Sequence, residues 1–310
     1  MKNKKLIVLT GPTAVGKTKL SIALAKAVNG AIISADSMQV YEHMDIGSAK
    51  ITPEEMDGVK HYLVDCMSPM DAEGFNVSRF QKMAKEAMAE IYAEGKVPIL
   101  VGGTGFYIQA VIYDIDFTEN DADTSYRDML EDLAEQKGAE YIHEMLRAVD
   151  PKAADEIHFN NVKRVIRALE FFHKTGTPIS KHNQEERAKE SPYDLSYFVL
   201  NDDRDKLYAK IDARVDQMID EGLVAEVQKL LDMGCKREMV SMQGLGYKEI
   251  IDYLNGEISL DEAIYIIKRD TRHFAKRQLT WFRREKDVQW VHKSEFKNED
   301  EILKYMLEKI

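Results

Sequence analysis

Two hydrophobic rhythms alternate along the chain. Short, mostly apolar runs stand at residues 6–9, 31–35, 61–64, 97–101, 197–200 and 288–291. Runs of this length, rich in β-branched and aromatic residues and closed by turn-forming ones, read as strands buried on both faces. Between most of them apolar residues recur every three or four positions, as at 19–28 and at 77–94, where Gly95 marks the end; these read as helices. Strands and helices taken in turn predict a parallel sheet covered on both sides. Between 113 and 192 the rhythm changes. Helices are predicted at 126–137, 139–149 and 161–174, the connections are polar, and no strand pattern appears. The chain from 204 to 285 is again mostly helical, and the run at 288–291 returns to the sheet. The predicted organisation is an α/β core of residues 1–115 and 196–310, interrupted by a helical insertion domain at 116–195.

Length and composition agree with this picture: 310 residues suffice for about two domains, and the composition is that of an ordinary soluble protein. No stretch approaches the roughly 18 apolar residues of a membrane span, and Met1 to Lys5 lead into an apolar run too short for a signal peptide. No membrane association and a cytoplasmic location are expected. Cys66 and Cys235 are isolated, without C-x-x-C spacing, so neither a disulfide framework nor a zinc site is predicted. The net charge of −11 argues against a nucleic-acid partner. Its distribution reverses that locally: residues 268–286 hold eight lysines and arginines against Asp270 and Glu285, a net +6. Such a stripe is either a solvated helix face or a contact for phosphates.

The most specific motif lies between the first strand and the first helix. Gly11, Pro12, Thr13, Ala14, Val15, Gly16, Lys17 and Thr18 fit G-x-x-x-x-G-K-[ST]. In that context loop amides and the helix N-terminus converge on one spot, Lys17 reaches outer phosphate oxygens, and the Thr18 hydroxyl holds Mg²⁺. The fold class is therefore a P-loop NTPase-like parallel sheet core with a helical insertion domain. The loop itself leaves open which diphosphate or triphosphate it binds.

Other residues leave strands on the same edge. Asp36 follows the second strand directly and points either into the ligand crevice or back to cap the residues after it. Thr104 sits in the turn Gly102, Gly103, Thr104, Gly105, which departs from G-x-G-x-x-G and so does not predict a dinucleotide site; it serves either a substrate or a tight turn. In the insertion Lys163, Arg164 and Arg167 gather at a helix start, with Arg164 and Arg167 on one face. Arg214 is a single arginine on a helix, where patterning favours ordinary surface.

Six segments in order, 11–18, 34–41 (Ser-Ala-Asp-Ser-Met-Gln-Val-Tyr), 44–50 (Met-Asp-Ile-Gly-Ser-Ala-Lys), 101–107 (Val-Gly-Gly-Thr-Gly-Phe-Tyr), 164–170 (Arg-Val-Ile-Arg-Ala-Leu-Glu) and 275–282 (Ala-Lys-Arg-Gln-Leu-Thr-Trp-Phe), resemble the bacterial tRNA dimethylallyltransferases, or isopentenyltransferases. The resemblance implies transfer of a dimethylallyl group from dimethylallyl diphosphate to N6 of the adenosine 3′ of the anticodon, with diphosphate leaving. The P-loop would then grip a leaving group instead of a nucleotide. By the same resemblance, Asp36 is the general base and Thr104 its neighbour at the acceptor base. Residues 11–18 with Arg214 bind the diphosphate, with Mg²⁺ on Thr18. The tRNA anticodon stem-loop is contacted by Asp36, Ser37, Met38 and Gln39, by Thr104, by Arg127, by Asn160, Asn161, Val162, Lys163 and Arg164, and by Arg269, Arg272 and Lys276; a monomer is expected. The sequence departs from the family at Glu42 and His43, usually a basic residue and a glycine, at Ser48, usually threonine, and at Val162, usually acidic. A P-loop small-molecule kinase using ATP is the rival reading. A non-catalytic tRNA-binding module is disfavoured by the intact Lys17 and Thr18.

Overall fold

The computed structural model describes residues 4–117 and 124–310. Two compact units divide the chain, Met1–Ile112 with Ser191–Ile310, and Tyr113–Glu190. The second divide precedes residue 196 because the strand after it starts early: Asp194 and Leu195 already pair with Lys5 and Leu6.

The larger unit is built on six parallel strands, β1 (Lys5–Thr10), β2 (Gly30–Ser34), β3 (His61–Tyr62), β4 (Val97–Gly102), β5 (Asp194–Asn201) and β6 (Gln289–His292). They lie in the order β3-β2-β4-β1-β5-β6. The register runs Ile33↔Leu100, Leu100↔Val8 and Val8↔Tyr197 across the middle. β3 is shorter than the apolar run at 61–64 predicts, because Leu63 and Asp65 take φ of 61° and 52° and turn the chain out of the sheet. Pro98 is tolerated in an inner strand because the ladder from β1 starts one residue later, at Ile7↔Ile99.

Helices α1 (Lys17–Ala27), α2 (Pro53–Met56), α3 (Val77–Ala93) and α4 (Gly105–Ile112) precede the insertion, whose helices are α5 (Ser125–Lys137), α6 (Ala139–Val149), α7 (Pro151–Glu156), α8 (Val162–Thr175) and α9 (Ile179–Ala188). After β5 come α10 (Arg204–Asp220), α11 (Leu223–Asp232), α12 (Tyr247–Leu254), α13 (Leu260–Phe282) and α14 (Glu299–Leu307). Side-chain caps set several starts: Asn76 and Ser259 accept from the Arg79 and Glu262 amides.

Alternation along each strand supplies two apolar faces. Ile7, Leu9, Ile32, Ile99, Phe198, Leu200 and Val291 form one cluster with Leu24 of α1, Leu207 and Ile211 of α10 and Ile302 and Met306 of α14. Residues between them, Leu6, Val8, Ile33, Leu100 and Val199, are fully buried too, and α3 packs on β2 and β4. Each such side chain contributes roughly 1.5–3 kcal/mol by leaving water, so the sheet is a rigid base for the loops at its carboxyl edge. The insertion has its own core, from Leu130, Ile142, Leu146, Val165, Ile166 and Leu169. Among the described residues no helix is long and apolar enough to cross a membrane.

Candidate active site

The loop leaving β1 turns through positive φ at Gly11 (148°), Ala14 (61°) and Gly16 (95°). Gly11 also has no room for a side chain: a Cβ there would lie 2.2 Å from the Leu200 carbonyl oxygen at the end of β5. Gly16 caps α1, so the positive end of that helix faces the loop. Beneath the loop the Thr10 hydroxyl donates to the Gly102 carbonyl at 2.7 Å, tying β1 to β4. The Lys17 ammonium donates to the carbonyls of Gly11 (2.9 Å) and Pro12 (2.8 Å).

Beside this loop opens a cleft of about 500 Å³. Its polar lining includes Thr13, Asp36, Ser37, Thr104 and Arg214, and its apolar lining Phe75, Ile211, Val215, Ile267 and Phe274. Three strands of the sheet and α10 therefore bring together residues far apart in the chain, and Arg214, which patterning assigns to ordinary surface, is among them. Asp36 Oδ1 accepts from the Met38 amide at 2.8 Å and the Gln39 amide at 3.3 Å. No helix follows, so the carboxylate closes a turn instead of capping a helix. Thr104 anchors its turn through its amide, which donates to the Ala35 carbonyl at 3.2 Å.

Burial separates Lys17 and Arg214 from the other cations near the site, Lys248 and Arg277, which line the cleft. Burial lowers Lys17 to about 8, while the Asp36 charge raises it and the Arg214 charge lowers it further. Desolvation also lowers Arg214, against the pull of Asp36 and Glu55. The Lys17 and Arg214 charges oppose each other beside the phosphate loop, with the Asp36 carboxylate nearby, and together favour an anion there.

Two residues of this architecture are not legible in the sequence. Gln278, buried on α13, accepts from the Thr13 amide at 2.9 Å and donates to the Gly103 carbonyl at 3.0 Å. It thereby joins the phosphate loop to the Thr104 turn. Glu226 on α11 accepts from three successive amides, Asp45, Ile46 and Gly47. Both partnerships span well over a hundred residues, and a single Gln or Glu on a helix carries no periodic signal; Gln278 stands only inside the segment at 275–282.

The remaining predicted residues fall in several settings. The Gln39 side chain donates to the Ser48 and Ala49 carbonyls, and Met38 lines the cleft. On α13, Arg272 pairs with Asp212, Lys268 with Asp216 and Arg269 with Asp270, which reduces the charge of the stripe. Lys276, Arg277 and Arg284 line a surface depression with Trp281. Within the insertion, Asn160, Asn161, Lys163 and Arg164 are at least partly exposed, whereas Val162 packs against the insertion core. Arg127 pairs with the buried carboxylate of Glu170 at 3.0 Å.

The sequence profile of the IPP transferase family matches residues 39–285. A tRNA dimethylallyltransferase of Lachnoclostridium phytofermentans is 65% identical over 302 residues, covering 97% of this chain and 96% of its own. One from Acetivibrio thermocellus is 51% identical, covering 96% and 95%. The crystal structure of the tRNA isopentenylpyrophosphate transferase of Bacillus halodurans, 46% identical, superposes with a TM-score of 0.73 over 99% of this chain and 96% of that one. A eukaryotic dimethylallyltransferase acting on tRNA, 29% identical, gives 0.79 over 93% and 74%. With the fold, the phosphate loop and the family segments in register along the whole chain, the protein belongs to the IPP transferase family, the enzymes that transfer a dimethylallyl group to tRNA.

Proposed function

We propose that the cleft binds dimethylallyl diphosphate with its diphosphate in the loop at 11–18, and that the five-carbon group is transferred to N6 of the adenosine 3′ of the anticodon. The observation that carries this reading is the convergence of Arg214, the Asp36 carboxylate and an apolar wall in one cleft beside the phosphate loop. Lys17, Arg214 and the loop amides stabilise negative charge as it grows on the bridging oxygen of the leaving group. The adenine amine is a weak nucleophile, because its lone pair is delocalised into the ring. Asp36 orients that amine and takes its proton as the carbon–nitrogen bond forms; Oδ1 closes the turn, which leaves Oδ2 for the base. Thr104 hydrogen-bonds the acceptor base beside it. Phe75, Val215 and Ile267 keep water from an allylic centre that would otherwise hydrolyse. The acceptor base must leave the anticodon-loop stack to reach this depth, at a cost of a few kcal/mol.

The hydroxyl of the exposed Thr18 would be the protein ligand of a magnesium ion bound with the diphosphate. Among the described residues no group of three or more His, Cys, Asp or Glu converges to hold a metal. Bound there, the ion would offset leaving-group charge. The enzyme would act as a cytoplasmic monomer.

The direct test supplies unmodified tRNA with radiolabelled dimethylallyl diphosphate. Label in the adenosine 3′ of the anticodon, with equimolar diphosphate released, is the expected result. Consumption of ATP with a small acceptor and no labelled tRNA would turn the reading to a kinase.

Binding of tRNA phosphates is assigned to the open part of α13. Reversing Lys276, on that part, and Arg284, just beyond it, to glutamate should weaken tRNA binding and flatten the dependence of log K on log salt by about one unit for each phosphate no longer neutralised. Arg272→Glu should change the slope less, because Asp212 already holds that guanidinium. A slope unaltered in the double variant would return this face of the helix to ordinary solvated surface.

A further inference from the structure

Glu226 accepts from four donors at once. Its Oε2 accepts from the amides of Asp45 (2.9 Å) and Ile46 (2.7 Å), and its Oε1 from the amide of Gly47 (3.0 Å) and the Tyr247 hydroxyl (2.8 Å). Tyr247 is fully buried. Burial first, and then the neighbouring Glu226 charge, keep its phenol protonated and therefore a donor. Its ring packs so tightly on Gly47 that a Cβ there would lie 2.6 Å from it. The clamped segment continues as the cleft wall at Gly47, Ser48 and Ala49. The carbonyls of Ser48 and Ala49 accept from Gln39 Nε2 at 3.4 and 3.1 Å, and the Gln39 amide donates to Asp36 Oδ1. An unbroken chain of hydrogen bonds and short backbone steps thus runs from α11 to the carboxylate in the cleft.

We propose that Glu226 and Tyr247 are positioning residues of the transfer reaction, holding residues 45–49 as a fixed wall and, through Gln39, holding Asp36 in register with the acceptor amine. The inference rests on the reading of Asp36 as the base. A carboxylate is required because three successive amides point at it. Glutamine has one acceptor oxygen and would turn its NH₂ group against N–H donors. A displacement of the order of 1 Å at the reacting groups costs about 10²-fold in rate.

Purified full-length Glu226→Gln, Tyr247→Phe and Gln39→Ala, with the double variant Glu226→Gln/Gln39→Ala, are compared with Asp36→Asn in single-turnover transfer at saturating tRNA, alongside tRNA affinity and amide exchange. Glu226→Gln should lower the transfer rate at least about tenfold, with tRNA affinity held within about threefold and faster exchange at residues 45–47; Tyr247→Phe, which removes one bond of four, should lose less. Because one chain carries the effect, the double variant should be no slower than the slower single. Wild-type transfer by Glu226→Gln, or losses that multiply in the double variant, would overturn the proposal. Where Glu226→Gln does not fold, Tyr247→Phe and its combination with Gln39→Ala decide by the same rule. Asp36→Asn at the wild-type rate would instead overturn the reading of Asp36, whereas an inactive Asp36→Asn beside an unaffected Glu226→Gln sinks the clamp alone.

Discussion

Replacing Asp36 with alanine should slow allyl transfer by roughly 10²- to 10⁴-fold, the range for removing a positioned general base, while tRNA affinity stays within a few-fold. Part of that loss would come from geometry, since Oδ1 closes the turn through the Met38 and Gln39 amides. Asparagine separates the two contributions. It keeps an acceptor for those amides and removes the basic oxygen, so Asp36→Asn should retain the turn and still lose most of the rate. Single-turnover transfer with labelled donor reads both variants. Asp36→Asn at full speed would strip the residue of its chemical role and leave it a structural one.

The second large effect belongs to Lys17. Lys17→Ala should cost roughly 10²- to 10³-fold in transfer, as for loss of one donor to a developing anion, and should weaken binding of the allyl donor as well. The lysine also predicts a pH signature. In the free protein it titrates at about 8 instead of 10.5, chiefly because it is desolvated. A diphosphate beside it favours the ammonium and raises that value, so binding above pH 8 takes up a proton. Affinity for the diphosphate should fall as pH rises through 8. Folding stability of the empty protein carries a Lys17 contribution of the depressed-cation kind: it should rise between about 8 and 10.5 relative to lower pH, since there the unfolded chain holds the extra proton. Calorimetry of diphosphate binding in buffers of different ionisation heat measures the uptake. Proton uptake undiminished in Lys17→Ala would assign it to the ligand.

The apolar rhythm is a good guide to this molecule wherever the rule is local. Buried strands and amphipathic helices are set by neighbours a few residues apart, and the phosphate loop by eight consecutive ones. The rule fails where backbone conformation or distant partners decide. Leu63 reads as strand, yet it adopts φ of 61° and ends β3. Arg272 and Lys268 read as part of a strongly basic face, yet α10 brings Asp212 and Asp216 against them. Gln278 and Glu226 carry no signal of their own in the apolar pattern. Each gains its meaning from main-chain groups that tertiary packing delivers. The site is legible as a set of strand ends and one loop; the struts behind it are not.

The strand order carries a consequence for biosynthesis. β1 leaves the ribosome well before β5, yet one of its two edges is filled only by β5, which starts at Asp194, after the helical insertion has been made. Until then a nascent chain presents a bare, wholly apolar ribbon at Leu6, Ile7, Val8 and Leu9, the kind of edge that recruits other strands. Slowing elongation before residue 194 should therefore lower the soluble yield.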